Sequence, residues 1–70
     1  MIEVEIGKVL NELLFKEKYM IIHLGTLFNE DASSGYNLLN IKSGYAIFAE
    51  GKTKRSLKKF INSCNFTEEE

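Results

Sequence analysis

Ile2, Ile6, Val9, Leu10, Leu13 and Leu14 recur along the start of the chain at spacings of three and four. At 100° per residue they cover an arc of about 140°, with Glu5, Lys8, Glu12 and Lys16 opposite. The spacing predicts an amphipathic helix over 8–17, with Leu13 and Leu14 in the core. "IEVEI" alternates apolar and acidic residues, which is also a strand signal, so residues 2–6 stay open between strand and helix.

The pattern then changes period. "YMIIHLG" is β-branched and aromatic, ends in glycine, and predicts a strand. "TLFNEDASSG" runs into a loop of turn formers at Asn29 to Gly35. "YNLLNIK" predicts a second strand, Ser43-Gly44 a tight turn, and "YAIFAE" a third strand that Gly51 breaks. Thr53 suits the N-cap of a final helix over 54–64. Leu57, Phe60, Ile61 and Cys64 fall on one face of that helix, within about 100°. Lys54, Arg55, Lys58 and Lys59 occupy a separate arc of about 140°.

These elements predict an α+β domain of the order helix, three-stranded antiparallel sheet, helix (α-β-β-β-α), with both helices on one sheet face. Residues 1–66 form a single small domain, and 67–70 are an acidic, disordered tail or one that folds back on the basic helix. The second sheet face, with parts of Tyr19, Ile21, His23, Tyr36, Leu38, Tyr45 and Ile47 or their alternates, is left partly in solvent. A face that apolar suits a partner protein or a homodimer contact.

Composition narrows the class. Seventy residues, 44% hydrophobic and 27% charged, describe one ordinary small domain and not a disordered chain. Cys64 is the single cysteine, so no internal disulfide forms, and a reducing cytoplasm is the expected compartment. The start carries glutamates where a signal peptide has bases, and "YMIIHLG" is far shorter than the ~20 residues of a membrane span. Charge is unevenly spread. Residues 1–51 hold seven acids and four bases, residues 52–66 hold five bases and no acid, and Glu68-Glu69-Glu70 close the chain, for a net of −1. The result is a dipolar chain.

Little here points to catalysis. His23 is the only histidine, Cys64 the only cysteine and Asp31 the only aspartate, too few for a metal cluster. Cys64 reads as a small buried hydrophobe and His23 as a half-exposed strand residue. "EGKT" has a lone glycine and does not make a phosphate loop. No catalytic residue, metal or cofactor is expected. The basic stretch remains. Five bases without an intervening acid forgo the usual i, i+4 support, and Lys54 and Arg55 sit where the helix dipole disfavours cations. A docked anion accounts for that arrangement more readily than a merely solvated face, and the two readings stay open at this point.

The predicted order of elements resembles that of the double-stranded-RNA-binding domain. "LNEL" (Leu10 to Leu13) is similar to that family's first-helix segment, with Glu12 matching its minor-groove glutamate. "EGKTKRSLKK" (Glu50 to Lys59) is similar to its G-x-S-K-K-x-A-K stretch. The resemblance implies Lys54, Arg55 and Lys58 on phosphates across a major groove. Leu57, Phe60 and Ile61 depart from the family's small alanines, its Gly-Pro-x-His loop is absent, and the chain is acidic overall.

The leading expectation is a non-enzymatic regulator that docks on another protein, of inhibitor, adaptor or mobile-element accessory type. The rival is a module for duplex nucleic acid. Both use Lys52, Lys54, Arg55, Lys58, Lys59 and Glu12. A self-associating module with an exposed strand edge is the third reading.

Overall fold

The structure, a computed structural model, describes residues 1–24 and 35–69. Its described elements are β1 (Val9–Glu12), β2 (Glu17–His23), β3 (Tyr36–Asn40), α1 (Lys54–Ser63) and β4 (Phe66–Glu68). The strands form one antiparallel sheet in the order β3-β2-β1-β4. Helix α1 therefore leaves the β3 edge, crosses one sheet face and delivers β4 to the opposite edge. The α+β class holds; the predicted α-β-β-β-α order does not, because the described residues form four strands and one helix.

Register explains which face α1 covers. Leu10 lies opposite Tyr19, Ile21 opposite Leu38, and Phe66 opposite Glu12. Residues directly opposite share a face, so Leu10, Tyr19, Ile21, Leu38 and Phe66 face the same way. Leu57 and Ile61 of α1 complete a fully buried core with Leu10, Ile21 and Leu38, and Val4 joins it. Phe60 stands edge-on to Phe48 at 5.1 Å, and Tyr19 edge-on to Phe66 at 5.9 Å. Thus Ile21 and Leu38 belong under the helix, not on the solvent face. The second face carries their alternates Val9, Met20, Ile22 and Leu39, all half-buried.

The predicted helix over 8–17 is a β-hairpin. The spacing of Val9, Leu10, Leu13 and Leu14 fits a helix locally, but β1 gains hydrogen-bonded neighbours on both sides, β2 and β4. Tertiary pairing overrides local period here. Glu12 faces Glu17 across a four-residue connection, Leu13 to Lys16. Its carboxylate accepts from the backbone N–H of Leu14 at 2.8 Å and of Phe15 at 2.7 Å. Lys16 closes the turn with a left-handed φ of 58°, the αL position that longer hairpin loops use. Residues 2–6, open between strand and helix, belong to neither, and Val4 fills the core from this stretch.

The predicted third strand, "YAIFAE", is reduced to scattered pairings with β3. Ala46 bridges Leu39, and Lys52 bridges Tyr36. β3 advances three residues between those bridges while its partner advances six, so the partner must loop outward. Asn37 fills the gap. It is 1% exposed, its Oδ1 accepts from Phe48 N and its Nδ2 donates to Phe48 O at 3.0 Å. Gly51 crosses directly over Gly35, where a Cβ would sit 2.2 Å from the Gly35 Cα. Side chains that replace ladder bonds, and a crossing this tight, prevent a regular strand.

The remaining elements follow the sequence. The predicted first and second strands are β2 and β3. The Ser43-Gly44 turn forms, with Gly44 N–H donating to Asn40 O at 2.8 Å. Thr53 caps α1, its Oγ1 accepting from Ser56 N at 3.0 Å. The acidic end is not a free tail: Phe66–Glu68 pair with β1, Glu68 bonds Lys8 and Glu69 bonds Lys18, none of them on the basic helix. Of the expected loop at Asn29 to Gly35, all but Gly35 lies outside the described residues, as does Glu70. Among the described residues, no helix is long and apolar enough to cross a membrane.

Candidate functional site

The basic residues of α1 and its approach divide by what they touch. Lys58 donates to Glu3 Oε1 at 2.9 Å. That hydrogen bond and the Lys58 charge hold the Glu3 carboxyl below its ordinary value. Lys52 lies 5.1 Å from the centre of the Phe48 ring, a cation–π contact, and its backbone closes the bridge to Tyr36. Lys54, Arg55 and Lys59 are exposed and make no ion pair among the described residues. The five bases therefore do not act as one uniform face: two are engaged within the fold and three project outward.

Glu12 is not on a helix face. It sits at the end of β1, and both carboxylate oxygens are spent on the turn that follows. The segment "LNEL" lies on β1 and the first turn residue. Glu12 instead shares a groove with Phe60, Ser63 and Cys64 toward the C-terminal end of α1, whereas the basic residues occupy the approach and the first part of that helix.

The turn that Glu12 holds presents three consecutive apolar side chains. Leu13, Leu14 and Phe15 are 54%, 68% and 75% exposed. The first two were expected in the core. Behind them lies an open groove of about 440 Å³. Its walls include Leu14 and Phe15 from the turn, Tyr19 from β2, Phe60 from α1, Phe66 from β4 and the exposed Ile47. The turn is tied to the end of α1 because Leu13 N–H donates to Asn65 O at 2.9 Å. Cys64 caps α1 at this end and is exposed, not buried as its place in the helical pattern suggested.

One feature of the sequence does mark this site. Three neighbouring residues on a helix spread over about 200°, so Leu13, Leu14 and Phe15 cannot all lie on one helix face. An apolar triplet between Glu12 and Glu17 leaves at least one large side chain in water under a helical reading.

His23 is half-buried and stands edge-on to Tyr36 at 4.8 Å, as a strand residue would. Lys8 is held above its ordinary value, chiefly by its hydrogen bond with Glu68 at 2.8 Å. Among the described residues no group of three or more His, Cys, Asp or Glu side chains gathers as a metal site. No protein-family model matches the chain, and neither does any curated protein or solved structure.

Proposed function

We propose that this chain is a small non-enzymatic binding protein that acts by docking on another protein, as an inhibitor or adaptor does. The observation that carries the reading is the hairpin tip. Leu13, Leu14 and Phe15 are largely exposed, although a folded chain of this size has few apolar side chains to spare from its core. Their turn is fixed by the Glu12 carboxylate and by Asn65. A pre-organised apolar tip beside an apolar groove loses little conformational entropy on binding. Phenylalanine is among the aromatic residues enriched in protein interfaces.

Binding to duplex nucleic acid is the second reading, favoured by the exposed Lys54, Arg55 and Lys59. It is the weaker one. Lys58 and Lys52 are drawn into contacts within the fold, and Glu12 is committed to its turn. A phosphate backbone also has no use for the tip of Leu13, Leu14 and Phe15.

Capture of binding proteins from native host extract, with wild type and Leu14→Ser/Phe15→Ser compared at equal thermal stability, tests the leading reading. A protein retained by wild type and lost by the variant is the expected result. Equal retention by both contradicts it.

A further inference from the structure

Arg55, Lys59 and Ser63 follow one another at i, i+4 and i+8 on the outer side of α1. With Met1, Lys58 and Asn62 they line a shallow groove of about 460 Å³. Ser63 also lines the apolar groove at the hairpin tip. The basic and apolar grooves therefore meet at Ser63 and form one bipartite track along the helix. At its basic end, Arg55 and Lys59 carry charges that no acid answers among the described residues.

The same helix already holds an acidic, apolar segment of its own chain along one wall of that basic groove, through Lys58 and Asn62. Asn62 Oδ1 accepts from Ile2 N at 2.8 Å, and Asn62 Nδ2 donates to Ile2 O at 3.0 Å. Glu3 then pairs with Lys58, and Val4 drops into the core. Backbone held by a side-chain amide, a carboxylate on a lysine and an apolar anchor in a recess are three contacts to one extended segment.

We propose that the occupant of the bipartite track is an acidic segment of another protein that carries a bulky apolar anchor. This rests on the docking reading above and adds the chemistry of the partner. Its carboxylates lie over Arg55 and Lys59, and its anchor enters the groove walled by Phe15, Phe60 and Phe66. Arg55 to Ser63 spans about 12 Å along the helix. Extended chain covers that distance in about four residues, and the about 6 Å from Lys59 to Ser63 in about two, so the acids stand about two to four residues from the anchor.

A phage-displayed random dodecapeptide library panned on the full chain supplies the probes. Selected peptides are then measured by fluorescence polarisation against wild type, Arg55→Glu/Lys59→Glu and Leu14→Ser/Phe15→Ser. All four substituted positions are exposed, and thermal melts confirm that the variants fold. The expected selection pairs Asp or Glu with Trp, Phe or Leu at that spacing. Each double variant weakens binding about tenfold or more, and wild-type affinity falls as salt rises from about 50 to about 300 mM. Apolar peptides that Arg55→Glu/Lys59→Glu binds as well as wild type overturn the acidic partner and leave the docking reading standing. A failure to enrich any peptide over blank resin contradicts the docking reading itself. Duplex RNA that binds wild type, loses binding with Arg55→Glu/Lys59→Glu and is indifferent to Leu14→Ser/Phe15→Ser assigns the bases to nucleic acid and overturns the proposal.

Discussion

Gly51→Ala should destabilise this domain far more than one methyl group suggests. The new Cβ would stand 2.2 Å from Gly35 Cα, 2.7 Å from Gly35 N and 2.8 Å from Gly35 C. Carbon atoms in contact need about 3.5 Å, and every clashing atom is backbone, so no rotamer relieves it. The two strands must part by about 1 Å. The next residues along, Tyr36 and Lys52, exchange hydrogen bonds of 2.9 and 2.8 Å. Lengthened by that amount, both leave the range in which hydrogen bonds hold. Overpacking costs about 1–3 kcal/mol and the two lost bonds about 1 kcal/mol each, or about 3–5 kcal/mol together. At about 4–8 °C per kcal/mol for a domain of this size, Tm falls by more than about 10 °C. Thermal melts followed by circular dichroism read this directly. Gly7→Ala is the control: its Cβ meets nothing within 4 Å, and only the φ of +90° strains it, at about 1 kcal/mol. A Gly51→Ala protein no less stable than Gly7→Ala would refute the close crossing.

Other expectations follow from single contacts. Asn37→Ala removes both bonds from this buried side chain to the half-buried Phe48 peptide and costs about 1–3 kcal/mol in urea titration; Asn37→Asp is worse, because it puts a carboxylate against Phe48 O where a donor is needed. Glu12→Ala releases the amides of Leu14 and Phe15, whose hydrogen exchange should speed while that of Ile21 stays slow. The Glu3 carboxyl is depressed in the fold, so its bond to Lys58 contributes stability above the ordinary value of 4.5 and loses it as pH falls below that value. Lys58→Met should therefore be less stable than wild type at pH 7, with the gap closing as pH falls through the depressed Glu3 value; a gap that persists in strong acid contradicts the pairing.

The sequence discloses α1 and its cap because those signals are local. Thr53, the Leu57-Phe60-Ile61 spacing and the absence of helix breakers all sit within one stretch. β2 and β3 are legible for the same reason, as dense runs of Tyr, Ile and Leu. The first hairpin is not, because its turn contains no glycine, asparagine or proline and relies on a carboxylate side chain in their place. β4 is hidden for another reason: its three residues have no pattern of their own and become a strand only by pairing with β1, more than fifty positions earlier. The site was read in the same uneven way. The outward bases Lys54, Arg55 and Lys59 were visible in the sequence, whereas the capture of Lys58 by Glu3 and of Lys52 by Phe48 depends on chain crossings that composition does not encode. A helical period places Leu13 and Leu14 in the core, whereas the hairpin turns both outward.

The docking reading turns on the hairpin tip, and photo-crosslinking from it is the most direct test. Benzoylphenylalanine replaces Phe15 in one variant and the exposed Glu50 in another, and each is irradiated in the native host. A discrete adduct with one other protein is expected from position 15 and none from position 50, and adding Leu14→Ser should abolish it. No adduct from position 15, an equal one from position 50, or only an adduct of twice the mass of the chain would contradict the docking reading.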